Sequence, residues 1–169
     1  MNQKHNKMIQ SILVTGGCGF IGTSLIRKFV ERWPNLQIRV LDSLFTGKPD
    51  DLAEVTSFTT ISTEELPGFD RGVALIEGDI RDSEFVQLCT QNVDSIVHLA
   101  ANTGVQPSVD NPRLDMECNV LGTFNMLEAA RLNGVKKFIF ASSGAPAGQV
   151  EPPIHEELPP HPVSPYPVL

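Results

Sequence analysis

Residues 12–22 read Ile-Leu-Val-Thr-Gly-Gly-Cys-Gly-Phe-Ile-Gly, an apolar run that breaks into Gly16, Gly17, Gly19 and Gly22. This spacing suits a bound phosphate. Backbone N–H groups at a helix start lack internal partners, and the helix dipole places partial positive charge there. Glycines let the chain turn tightly and let a pyrophosphate approach the backbone with no Cβ in the way. Gly16, Gly19, Phe20, Ile21 and Gly22 are the candidate cofactor-binding residues of this loop. Asp42 closes the next apolar run, 20 positions beyond Gly22. A carboxylate there accepts hydrogen bonds from the ribose hydroxyls of NAD and repels the 2′-phosphate of NADP. A nucleoside-triphosphatase loop is excluded, because no Gly-Lys-Ser/Thr follows. A ligand-free glycine turn with a surface Asp is the alternative, and the strand–helix–strand context weighs against it.

Strands and helices alternate around this loop. Ser11–Val14, Gln37–Leu41, Val73–Glu77, Ser95–Leu99 and Lys137–Ala141 read as strands. Gly19–Arg32, Asp82–Gln91 and Pro112–Asn133 read as helices, the last with Val120, Phe124, Leu127 and Ala130 along a stripe. Leu44–Asp70 has no steady period and reads as a long connection with a short helix near Asp51–Val55. Parallel neighbours need a crossover, which a helix supplies, so the pattern predicts an α/β fold with a parallel sheet of about five strands. Ligands of such sheets bind at the carboxyl ends of the strands, which directs Ser142 and Ser143 toward the crevice. His98, Gly122 and Cys18 read as a core histidine, a close-packing site and a space-filler.

The chain has 169 residues and a net charge of −7, with no Lys/Arg run, which argues against a nucleic-acid partner. Cys18, Cys89 and Cys118 are odd in number and widely spaced, so a disulfide framework or a metal site is not expected, and a cytoplasmic location fits. No apolar segment approaches the roughly 18 residues needed to span a bilayer. Residues 1–10 are polar and read as a loose extension.

The spacing Thr15-Gly16-x-x-Gly19-x-x-Gly22 resembles the extended short-chain dehydrogenase/reductase family, and within it the NAD-dependent nucleotide-sugar epimerases and dehydratases. The resemblance continues in order through Leu41-Asp42-Ser43-Leu44, Gly78-Asp79-Ile80-Arg81-Asp82, His98-Leu99-Ala100-Ala101 and Asn119-Val120-x-Gly122-Thr123. It implies a Rossmann-like doubly wound sheet holding NAD. Asp79 would accept from the adenine amino group and Ile80 would pack on the ring. Leu99, Ala100 and Ala101 would run beside the cofactor, and Asn119 would be buried on the cofactor side. Ser143 would bond the substrate hydroxyl, and Tyr166, in Ser164-Pro165-Tyr166, would be the base that removes a proton from a sugar hydroxyl.

The resemblance also implies a lysine four residues after the tyrosine, whose charge favours the phenolate. That position would be 170. Pro167 stands where glycine is usual, and Ala145-Pro146-Ala147 replaces the usual Thr-Val-Tyr. Further strands and a substrate domain are implied as well, and residues 1–169 do not include them. The expectation is an NAD-binding domain over 11–144, a proline-rich extended tail over 145–169, and little or no activity alone. A non-catalytic NAD- or nucleotide-binding protein acting through a partner is the alternative. A homodimer through the helix of 112–133 is the assembly the resemblance implies. Asn102–Ser108 is a candidate substrate contact, but nothing in it selects a sugar.

Overall fold

The structure, a computed structural model, describes residues 9–166. Most of the extension expected over 1–10, and Pro167, lie outside the described residues. Strands β1 (Ser11–Thr15), β2 (Gln37–Asp42), β3 (Thr59–Thr60), β4 (Val73–Glu77), β5 (Ser95–His98) and β6 (Lys137–Phe140) form one sheet in the order β3-β4-β2-β1-β5-β6. Every pairing is parallel. Strand β1 is central, with Ser11 opposite Gln37 of β2 and Ile12 opposite Ser95 of β5. Strand order reverses at β1, and the crevice beyond its carboxyl end is where such sheets bind ligands.

Alternation along each strand sends side chains to two helical layers. Ile12, Val14, Ile38 and Val40 pack with Ile26 of α1 (Phe20–Arg32) and Leu52 of α2 (Pro49–Ala53). Leu13, Leu41, Ile76 and Ile96 pack on the other face with Val86 and Cys89 of α3 (Ser83–Cys89) and with Met126, Ala129 and Ala130. Arg39 interrupts the apolar run of β2 yet is only 3% exposed. Its Nη1 donates to the carbonyls of Cys89 (3.0 Å) and Gln91 (2.7 Å), where α3 ends and its carbonyls lack helical partners.

Three expectations change. The sheet has six strands rather than about five, because the two-residue edge strand β3 lies inside the segment that showed no period. An unexpected short helix, α4 (Val105–Asp110), precedes the expected long one, which runs without a break as α5 (Pro112–Met116), a π-helical turn (Glu117–Leu121) and α6 (Gly122–Leu132). The stripe Val120, Phe124 and Leu127 is exposed, while Asn125, Met126, Ala129 and Ala130 are buried. Periodicity reveals a helix but does not say which neighbour each face meets. After β6 a 3₁₀ turn (Ala145–Ala147) leads into a tail without further helix or strand up to Tyr166. Among the described residues no helix is long and apolar enough to cross a membrane.

His98 locks the carboxyl ends of β1 and β5 together. Thr15 Oγ1 accepts from the amides of Leu99 (3.2 Å) and Ala100 (3.1 Å) and lies 2.7 Å from His98 Nδ1. A hydroxyl with both acceptor sites filled donates its one proton, so Nδ1 is the acceptor and Nε2–H donates to Thr123 Oγ1 at 3.1 Å. Burial lowers the His98 pKa from 6.5 to about 4. The unfolded chain therefore binds a proton that the fold excludes, and stability must fall as pH drops from about 6.5 toward about 4. We expect a loss of about 3 kcal/mol across that window. Urea unfolding at stepped pH checks this, and the His98 contribution should vanish in His98→Gln whatever that variant's absolute stability.

Candidate cofactor site

The loop between β1 and α1 is built by close backbone approaches. Gly16 has φ +67°, and a Cβ there would lie 2.8 Å from Ala100 N. Its amide donates to Leu41 O at 2.9 Å. A Cβ on Gly22 would lie 2.5 Å from Gly16 O and 2.6 Å from Gly17 Cα. These are backbone atoms with nowhere to go. Gly19 caps α1 without a side-chain hydrogen bond, so the first-turn amides are left for a ligand.

Asp42 is 8% exposed and fixed by two amides. Cys18 N donates to Oδ2 and Leu44 N to Oδ1, each at 2.9 Å. Burial, with Asp42 and Asp51 nearby, pushes the Cys18 thiol up to about 12, so it stays protonated and fills space. On the other side of β2, the turn after β4 carries Asp79 and Ile80. Asn125 Nδ2 donates to the carbonyls of Ile80 (3.1 Å) and Arg81 (2.9 Å), tying that turn to α6. A Cβ on Gly122 would lie 2.5 Å from Ile80 Cδ1, so glycine lets the isoleucine reach the helix. The Arg81 guanidinium holds the Asp79 carboxyl below its usual range.

A cleft of about 610 Å³ runs along these carboxyl ends. It is lined by Gly16, Gly19, Phe20, Ile21, Gly22, Asp42, Asp79, Ile80, Leu99, Ala100, Ala101 and Tyr166, twelve of the fourteen expected site residues. Asn119 and Ser143 are not in the lining. Asn119 instead holds the lining residue Asn102, accepting from its amide at 2.9 Å and donating to its carbonyl at 3.0 Å. Both amide side chains donate to Asp115 Oδ1, at 2.8 Å from Asn102 and 3.2 Å from Asn119. Asp115 is fully buried. Ser143 Oγ accepts from Ala145 N at 3.1 Å in the 3₁₀ turn, and Ser142 is the serine that lines the cleft. Sequence reasoning missed Asp115; its pairing with Asn102, the first residue of the candidate substrate-contact segment, spans 13 residues with no local pattern to announce it.

The sequence model of the NAD dependent epimerase/dehydratase family matches residues 12–168. The chain belongs to this family. It is 35% identical over 159 residues to the UDP-glucose 4-epimerase of Halalkalibacterium halodurans, covering 92% of this chain and 42% of that one. It is 36% identical over 158 residues to the human dTDP-D-glucose 4,6-dehydratase, covering 92% and 42%. The crystal structure of the Thermus thermophilus UDP-glucose 4-epimerase in complex with NAD superposes with a TM-score of 0.78 at 37% identity, over 94% of this chain and 46% of that one. A dTDP-glucose 4,6-dehydratase from Streptomyces venezuelae with NAD bound gives 0.78 at 32%, over 94% and 47%. The chain thus spans less than half the length of these relatives.

The epimerase/dehydratase family is NAD-dependent, and the residues present fit that cofactor. The uncapped start of α1, a cradle that a Cβ would fill, and a buried carboxylate 20 residues on suit a dinucleotide with a free ribose. Gly22→Ala should cost about 2 kcal/mol by overpacking against rigid backbone, read by urea unfolding, and should weaken NAD binding at least about tenfold, read by calorimetry.

Proposed function

We propose that this chain forms the NAD-binding part of a nucleotide-sugar epimerase or dehydratase. The observation that carries this reading is one cleft along the strand ends that gathers the glycine loop, Asp42, Asp79, Ile80 and Tyr166. NAD, when bound, supplies a reversible hydride acceptor for a sugar carbon. The protein's part is to place and polarise. Loop amides take the diphosphate, Asp42 takes the ribose hydroxyls, and Asp79 and Ile80 take the adenine. At the far end Tyr166 removes the proton of a sugar hydroxyl. A serine at the end of β6 orients that hydroxyl. Ser142 lies in the lining and Ser143, the expected residue, is its neighbour. Residues 1–169 match less than half the length of these relatives, and the proposal is that taken alone they hold cofactor with little or no turnover.

Calorimetry on the 169-residue chain should show NAD binding at least about tenfold tighter than NADP, with Asp42→Ala narrowing the gap to about threefold or less. Absence of NAD binding by folded chain would sink the reading. NMR of UDP- or dTDP-glucose incubated with the chain should show no sustained conversion, and steady product formation would refute the proposed inactivity alone.

Self-association is part of the same proposal. Val120 (42% exposed), Phe124 (61%) and Leu127 (48%) form an apolar ridge on the π turn and α6, a surface suited to a second copy. Light scattering should report a dimer, and Phe124→Glu should shift it to monomer without loss of NAD binding.

A further inference from the structure

We propose that Arg81 is a positioning residue that fixes Asp79 against the 6-amino group of the adenine, so that the site selects 6-aminopurine over 6-oxopurine dinucleotides. This rests on the NAD reading above and adds a residue to it. Asp79 is held by Arg81 alone among the described residues, from main chain and side chain at once. Oδ1 accepts from Arg81 N (2.9 Å) and Nε (3.0 Å), and Oδ2 accepts from Nη2 (2.7 Å) and Nε (3.0 Å). The guanidinium is anchored in turn: Nη1 lies 3.5 Å from Glu117, which also accepts from Arg113 Nε at 3.1 Å.

The pair is not needed to hold the turn. Asn125 secures the Ile80 and Arg81 carbonyls, and Gly122 seats Ile80. The side chains of Asp79 and Arg81 are 37% and 36% exposed, and ion pairs that open to water contribute little to stability. What the fork does contribute is direction: a planar guanidinium gripping both oxygens fixes the plane of the carboxylate. The Arg81 guanidinium lowers the Asp79 pKa, which keeps that carboxylate ionised and an acceptor only. A 6-amino group donates to it. A 6-oxo group turns lone pairs toward it.

The test compares NAD with nicotinamide hypoxanthine dinucleotide by calorimetry, alongside thermal unfolding. The wild-type chain should bind NAD at least about tenfold more tightly than the hypoxanthine analogue. Arg81→Ala should reduce that ratio to about threefold or less, with Tm within about 2 °C of wild type. Arg81→Lys keeps the charge without the fork and should also lose most of the ratio. It decides the matter if the alanine variant does not fold. An unchanged ratio in either folded variant overturns the proposal. A wild-type ratio near one with tight NAD binding overturns it while leaving the NAD reading intact. Folded wild type that binds neither dinucleotide defeats the NAD reading and this inference together.

Discussion

The constraint on which the site depends is the convergence of three backbones at the end of β1. Gly16 passes so close to Ala100 that no Cβ fits between them. Gly22 packs against Gly16 and Gly17 with the same lack of room. Thr15 fills both of its acceptor sites with the amides that begin the next segment and gives its proton to His98. A side chain at Gly16 would push the ends of β1 and β5 apart, and one at Gly22 would push α1 off the loop, so the cleft between these segments would change shape.

From that junction the expected cofactor residues are positioned by neighbours rather than by their own elements. Asp42 ends β2, but its carboxylate is aimed by the Cys18 and Leu44 amides. Asp79 and Ile80 sit on the turn after β4, but α6 holds that turn through Asn125 and Gly122. Asn102 follows β5 at a distance, and Asn119 and Asp115 of the following helical run hold it. Helix 112–132 thus serves the cleft without supplying most of its wall. Its π turn falls at Asn119, and extra residues in a helical turn re-aim side chains.

Much of this was legible in the sequence because the signals are local. Glycine spacing after an apolar run, an Asp at the next strand end and ordered short motifs placed twelve of the fourteen expected site residues in one cleft. The exceptions have physical causes. Ser143 is claimed by a 3₁₀ turn, where its hydroxyl satisfies an orphan amide. Asn119 was expected beside the cofactor, and its amide instead pairs with Asn102 and Asp115, partners that no spacing rule connects. The edge strand β3 has two exposed residues and no alternation to detect.

By itself the sequence determined the α/β alternation, the glycine loop and the acidic strand ends, because each follows from backbone chemistry within a few residues. The tertiary structure decided what those signals touch. It turned the stripe Val120, Phe124 and Leu127 outward, buried Arg39 under the end of α3, and made His98 a neutral strut. These outcomes depend on which faces meet across the sheet, and contacts between distant segments leave no periodicity in the chain that forms them.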